Sequence, residues 1–318
     1  MAKMPTAKQV QQHIQQLVNQ DKQDKKQVDN FYDQALTIIK NSLSAFFVQY
    51  AGKTGLDYNT LAQRANSWDK QQFEQAINLM MTDITPSDDL NKRLMAARFQ
   101  SQIKHRDALQ AIVTATVAIA TEKTQNYGNQ TAVKQYKKEY AHVTNQPNVS
   151  VPKQITKNDD FNSKVWVNND IIVQRTNQTI DKAVHKTIDK SLLRDLVKDN
   201  HDKVLQNNID SASQPGISFN KSAIVESSVK STNSARDTAF SENKSIDYVT
   251  YVTDMDDKVC DICQSYSGTT YAVDDPNKVV PVDDTHPNCR CLLVPSNEDG
   301  ELLESYNEDE AETANSFI

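Results

Sequence analysis

Apolar residues recur at intervals of three and four through most of the chain, and strict alternation is confined to one short stretch beyond residue 246. Val28, Phe31, Tyr32, Ala35, Ile39, Leu43, Phe46 and Tyr50 trace one face of an amphipathic helix from Asp24 to Tyr50 that stops near Gly52. The Gln- and Lys-rich residues 1–22 have sparse apolar positions and predict a frayed or partner-dependent helix. A short helical turn over Leu56–Ala65 precedes a helix from Trp68 to Met81, capped by Ser67 and packing through Trp68, Phe73, Ile77 and Met80. Thr85-Pro86-Ser87-Asp88-Asp89 is a helix start signal, and Leu90–Asn126 beyond it reads as one long helix, ended by Gly128. Thr131–Val143 predicts another helix, and residues 144–160, with Pro147 and Pro152, a linker.

Past the linker, Trp166–Lys190 and Ser191–Ile209 predict two helices, and Pro215-Gly216 predicts a break. Ser218 and Asn220 then offer caps for a helix to about Asn243, built on Ala223, Ile224, Val229, Ala235 and Phe240. Asp247–Asp254 alternates and predicts a strand, Thr269–Val273 a hairpin strand, and Leu292–Val294 a partner for it. The fold class expected is mainly α: an elongated helical body with a small α+β C-terminal module. The corresponding domains are a helical one over 1–150, a central helical part over 151–246, a strand-rich module over 247–296 and a tail over 297–318.

Composition supports helices. The 318 residues include 6 Gly and 9 Pro, 37% are hydrophobic, and mean hydropathy is -0.67. So polar a chain with so few turn residues is most readily used as long helices. The net charge of -7 sits in the tail: Lys and Arg are absent after Arg290, while eight acidic residues lie beyond it from Glu298 to Glu312. That predicts a disordered tail behind a nearly neutral body, which gives no support to a strongly basic nucleic-acid protein. The apolar run Ala108–Ala120 is interrupted by Gln110, Thr114 and Thr116 and falls short of the roughly 18 residues of a membrane span. Together with an N-terminus lacking an apolar signal segment, it predicts a soluble protein without a membrane partner.

The chemistry gathers between Asp254 and Pro295. All four cysteines lie there: Cys260 and Cys263 as C-x2-C, then His286, Cys289 and Cys291 as H-x2-C-x-C. Zinc takes four thiolate or imidazole ligands in a tetrahedron, and two short ligand pairs joined by a longer loop supply them. Five candidates compete for four places, with Cys291 the first to be spare. Such an ion would be a structural zinc, fastening a sheet too small to stand alone. The alternatives are cysteines packed as small hydrophobes, a redox pair, or a catalytic metal with His286 as base. Asp254, Asp256, Asp257, Asp261, Asp283 and Asp284 ring the site and disfavour a DNA backbone there. A separate basic patch, Lys134, Lys137 and Lys138 interleaved with Tyr136 and Tyr140, is a candidate DNA contact. No nucleophile, paired carboxylates or phosphate loop stands at recognisable spacing, so no enzyme is expected.

Asp256-Asp257-Lys258-Val259-Cys260 with Cys263, the Gly268–Tyr271 segment and His286-Pro287-Asn288-Cys289-Arg290-Cys291 together resemble the phage Mu F-like family of minor head proteins, also called phage head morphogenesis proteins. Upstream, Ser222-Ala223-Ile224-Val225 and Asn233, Ala235 and Ala239 are placed as in the family helix, so the resemblance covers roughly 160–295. Glu226-Ser227-Ser228 stands where family members often carry an Arg-Thr-Glu-like run. The resemblance implies a minor capsid protein inside the head near the portal vertex, made in the host cytoplasm. Its partners would be the portal protein, the scaffold and major capsid proteins, and phage DNA, and it would assist assembly and DNA packaging or ejection. A nucleic-acid-binding zinc module and a metal-dependent, nuclease-like hydrolase are the alternative functions.

Overall fold

The computed structural model describes residues 7–50, 58–82, 84–186, 200–253 and 259–303. The helices among them are α1 (Ala7–Tyr50), α2 (Tyr58–Leu61), α3 (Ser67–Met80), α4 (Asp88–Gln100), α5 (His105–Thr144), α6 (Lys153–Thr156), α7 (Asp159–Lys186), α8 (Asn200–Glu242) and α9 (Asp261–Tyr266). The strands are β1 (Tyr248–Val252), β2 (Thr270–Ala272) and β3 (Leu292–Ser296). The chain is mainly helical with a small C-terminal sheet, as its periodicity predicts. Its compact units are discontinuous where the sequence suggests linear domains: one comprises Met1–Lys25, Tyr127–Phe161 and Ser222–Ile318, the other Lys26–Asn126 and Asn162–Lys221. They are called unit 1 and unit 2 below.

In unit 2 the apolar run Ala108–Ala120 forms the core. Ala108, Ala111, Ile112, Val113, Val117, Ile119 and Ala120 are fully buried, as are Val28, Ala35, Ile39 and Phe46 of α1. Thr116 joins them because its hydroxyl donates back to the Ile112 carbonyl at 2.8 Å. The single helix expected over Leu90–Asn126 is two, α4 and α5. Between them Ala65 N–H donates to Ile103 O and His105 N–H to Gln63 O, each at 3.1 Å. Those backbone bonds to the 63–65 segment replace helical ones, a tertiary demand that local propensity does not contain.

Caps and breaks differ from the expectation in detail. Asn66, rather than Ser67, caps α3, in a capping box with Asp69. Ser87 caps α4, its hydroxyl accepting from Leu90 N–H at 3.2 Å. Pro215-Gly216 does not break α8, which runs through both. Gly216 instead lets α7 approach: a Cβ there would lie 2.4 Å from Ile172 Cγ1. Asn220 caps nothing. Fully buried, its amide donates to the Tyr32 hydroxyl at 2.7 Å and accepts from Asn168 at 2.9 Å.

In unit 1 Gly128 likewise does not end α5. It faces Phe161, whose Cζ would be 2.3 Å from an added Cβ, so glycine serves close packing here. Of the N-terminal segment expected to fray, residues 1–6 lie outside the described residues, and from Ala7 onward it is helix α1, where Val10, Ile14 and Leu17 bury themselves with Leu292 and Val294 of β3. The sheet has the order β2-β1-β3, both pairings antiparallel, with Val249 opposite Tyr271 on one side and Pro295 on the other. Leu292–Val294 thus pairs with β1, not with the Thr269–Val273 segment. Gly268, at φ 80° and open to solvent, makes the turn into β2 in a conformation that glycine adopts without cost. The residues from 304 onward, which hold most of the acidic tail, lie outside the described residues, as does Gly52.

Candidate metal centre

The Cys/His cluster forms where two turns meet under β1. Cys260 caps α9, its sulfur accepting from Cys263 N–H at 3.3 Å, so the first turn of α9 is the knuckle that turns both sulfurs inward. The second turn is closed by Cys289 N–H donating to His286 O at 3.2 Å, with Asn288 at φ 67°. Asparagine tolerates that left-handed conformation better than most side chains.

The structure brings all five predicted residues together, as two triads that share Cys263. Cys260, Cys263 and His286 form one, Cys263, Cys289 and Cys291 the other, with ligand atoms within 4.8 Å of one another in each. Cys263 Sγ lies 3.2 Å from His286 Nε2 and 3.5 Å from Cys289 Sγ. A tetrahedron with zinc–sulfur bonds of about 2.3 Å has sulfur–sulfur edges of about 3.8 Å, so shifts of a few tenths of an ångström would admit an ion. His286 Nδ1 lies 2.9 Å from Pro287 O. As donor there it leaves the Nε2 lone pair facing Cys263, the tautomer a metal requires. These donors could hold a metal ion, and the four cysteines form no disulfide.

Burial and mutual contact separate the thiols. The hydrogen bond from Cys291 pushes Cys289 down to about 4, against the opposing effect of its burial. Burial pushes Cys263 up to about 12. Cys291 is raised, first by that same bond to Cys289 and then by burial. Binding of a metal by these groups would release the protons that its ligands carry. Tyr251 of β1, whose hydroxyl stands 3.7 Å from both Cys263 Sγ and Cys289 Sγ, was not among the predicted residues. Its position in the alternating strand was the available signal.

Arg290 is the second residue missed. It sits between Cys289 and Cys291, is 8% exposed, and pairs with Asp21 of α1 through Nε and Nη2, with Ser228 of α8 at 3.3 Å. Nearby, Arg236 Nε donates to Glu139 at 2.6 Å and Nη1 to Leu293 O at 2.9 Å, while His13 Nε2 lies 3.1 Å from the same carboxylate. Burial would raise Glu139, yet the charges of His13 and Arg236 hold it well below the usual carboxylate range.

Of the acidic residues thought to ring the cluster, Asp261, Asp283 and Asp284 are exposed, and Asp254, Asp256 and Asp257 lie outside the described residues. The basic patch is divided by the structure. Lys134, Lys137 and Lys138 are exposed on α5, but Tyr136 and Tyr140 are buried and bonded through their hydroxyls to Thr238 and Glu242. The tyrosines pack against Ala132, Ile155, Ala235 and Ala239 and offer no face for stacking on a base.

A helical chain whose C-terminal sheet closes over a Cys/His knuckle defines a small metal-competent module on a helical body. Residues 175–294 match the family model described as Phage Mu protein F like protein, a span that includes β1, β2, the first three residues of β3 and all five cluster residues. Over that segment, a little over a third of its length, the chain is similar to the phage Mu F-like proteins that its sequence resembles. No curated protein and no solved structure matches the chain. Among the described residues, no helix is long and apolar enough to cross a membrane.

Proposed function

We propose that the chain is a minor, non-enzymatic component of a tailed-phage head, docking on the portal protein inside the capsid near the portal vertex and assisting head assembly and DNA packaging or ejection. The observation that carries this reading is the match of residues 175–294 to the Mu F-like family, with the Cys/His knuckle inside the matched span. Scaffold and major capsid proteins are the further partners of such a role. Co-expression with the portal protein of the same phage tests it: co-elution on gel filtration and the presence of the chain in purified virions are expected. Absence from virions together with no co-elution overturns it.

The same reading gives the cluster one structural zinc, held by four of Cys260, Cys263, His286, Cys289 and Cys291. Its chemistry would be to tie the α9 knuckle to the turn leading into β3, which supplies folding free energy without a reaction. Protein purified without chelator should contain about one zinc per chain, and removing it should lower the melting temperature of the module. Metal-free protein with four titratable thiols sinks this part of the proposal. Direct DNA contact rests on Lys134, Lys137 and Lys138 alone, so any binding should be weak and strongly salt-dependent.

A further inference from the structure

We propose that metal binding at the Cys/His cluster and docking of the first turns of α1 are a single coupled equilibrium, with Asp21 as a positioning residue acting through Arg290. The inference rests on the metal reading above and extends it to residues far away in sequence. The first turns of α1 wall the cluster: Val18, Asp21, Lys22 and Lys25 enclose a cavity of about 330 Å³ with the cluster residues. The segment Cys289-Arg290-Cys291 reaches both ways from this wall, the two sulfurs toward Cys263 and the guanidinium toward Asp21. Immediately after it, Leu292 and Val294 pack on Val10, Ile14 and Leu17.

A guanidinium cannot shed its charge, and Arg290 is more than nine-tenths buried. If α1 leaves, Arg290 must either remain buried without its carboxylate or swing outward. Swinging outward turns the 289–291 segment and draws Cys289 and Cys291 away from Cys263. Conversely, an ion that fixes those sulfurs fixes Arg290 in the place where Asp21 meets it. The coupling is reciprocal by linkage: the factor by which α1 docking strengthens metal binding is the factor by which metal strengthens docking.

The test uses the full chain and zinc itself. Zinc affinity is measured by competition with a chromophoric chelator, and amide hydrogen exchange of residues 10–21 is followed with and without zinc. Asp21→Ala is expected to weaken zinc binding about tenfold or more, as losses of residues that orient metal ligands do. Zinc removal from the wild type is expected to speed exchange in residues 10–21. If Asp21→Ala does not fold, Ile14→Ala, which loosens the same docking from a position on no ligand segment, should show the same direction with a smaller shift. Asn220→Ala, a buried polar truncation in unit 2, should leave zinc affinity unchanged. Wild type that binds no zinc overturns the metal reading itself. Wild type that binds zinc, with unchanged affinity in Asp21→Ala or Ile14→Ala and exchange of residues 10–21 indifferent to zinc, overturns the coupling alone.

Discussion

One helix, α1, passes through two differently built interiors. Its early turns, in unit 1, bury Asp21 in an ion pair with Arg290 and set the His13 ring against the Glu139 carboxylate, which Arg236 also holds. Its later turns, in unit 2, bury the Tyr32 hydroxyl in a neutral web. Tyr32 meets Thr121 at 3.0 Å and Asn220 at 2.7 Å, Asn220 meets Asn168 at 2.9 Å, and Thr121 meets Asn169 at 3.2 Å. Unit 2 keeps a buried carboxylate–imidazole pair as well, Asp69 with His105 at 2.7 Å, but its helix register is specified mostly by hydroxyls and amides. Breaking one side of a charged pair strands a charge out of water, whereas breaking a neutral pair strands a dipole. Unit 1 should therefore be the less forgiving of single truncations.

The sharpest test is Arg236→Met, which leaves Glu139 buried with one cation fewer. A loss of about 3–5 kcal/mol in urea unfolding is expected, and a loss near 1 kcal/mol would erase the contrast. Acid should separate the units next. Burial, and then the charge on His13, push His142 down to about 3. In the unfolded chain the same imidazole takes a proton near 6.5, so the stability it contributes is present above about 6.5 and lost as pH falls toward 3. The slope is at most about 1.4 kcal/mol per pH unit, and His142→Asn should flatten it in urea midpoints measured at pH 7 and pH 5.

In the neutral web Asn220→Ala should cost about 1–3 kcal/mol with little dependence on pH, measured by the same unfolding curves. A cost matching that of Arg236→Met would show that the charged and neutral interiors are equally demanding. Smallest of all, Ser87→Ala removes the α4 cap and should cost about 1 kcal/mol by thermal melting.

Where apolar spacing is long and regular, the helices can be read from the sequence alone. The Cys/His centre is readable too, because ligand chemistry demands short spacings that chance does not produce. Three things are not. Gly128 and Pro215-Gly216 look like local stops, yet they serve approaches to Phe161 and to α7 that involve residues far off in the chain. The break at residues 101–104 exists for backbone bonds to 63–65, which no local window contains. Finally, His13, Asp21 and Arg236 look like surface residues because charged side chains usually are, and burial becomes affordable only when a distant partner arrives. The Lys- and Gln-rich segment before Lys22 reads as frayed for that reason, although Val10, His13, Ile14, Leu17 and Asp21 within it are buried.

The discontinuity of unit 1 bears on how the protein is made. The residues that satisfy His13 and Asp21 are Glu139 and Arg290, so they emerge from the ribosome 126 and 269 positions later. Until β3 has been synthesised, the first turns of α1 carry an exposed apolar stripe of Val10, Ile14 and Leu17 and a carboxylate awaiting its arginine. Closing so wide a loop is slow compared with forming a helix, so a nascent chain spends most of its synthesis with that stripe unprotected. Early truncation products should accordingly be the ones that chaperones retain.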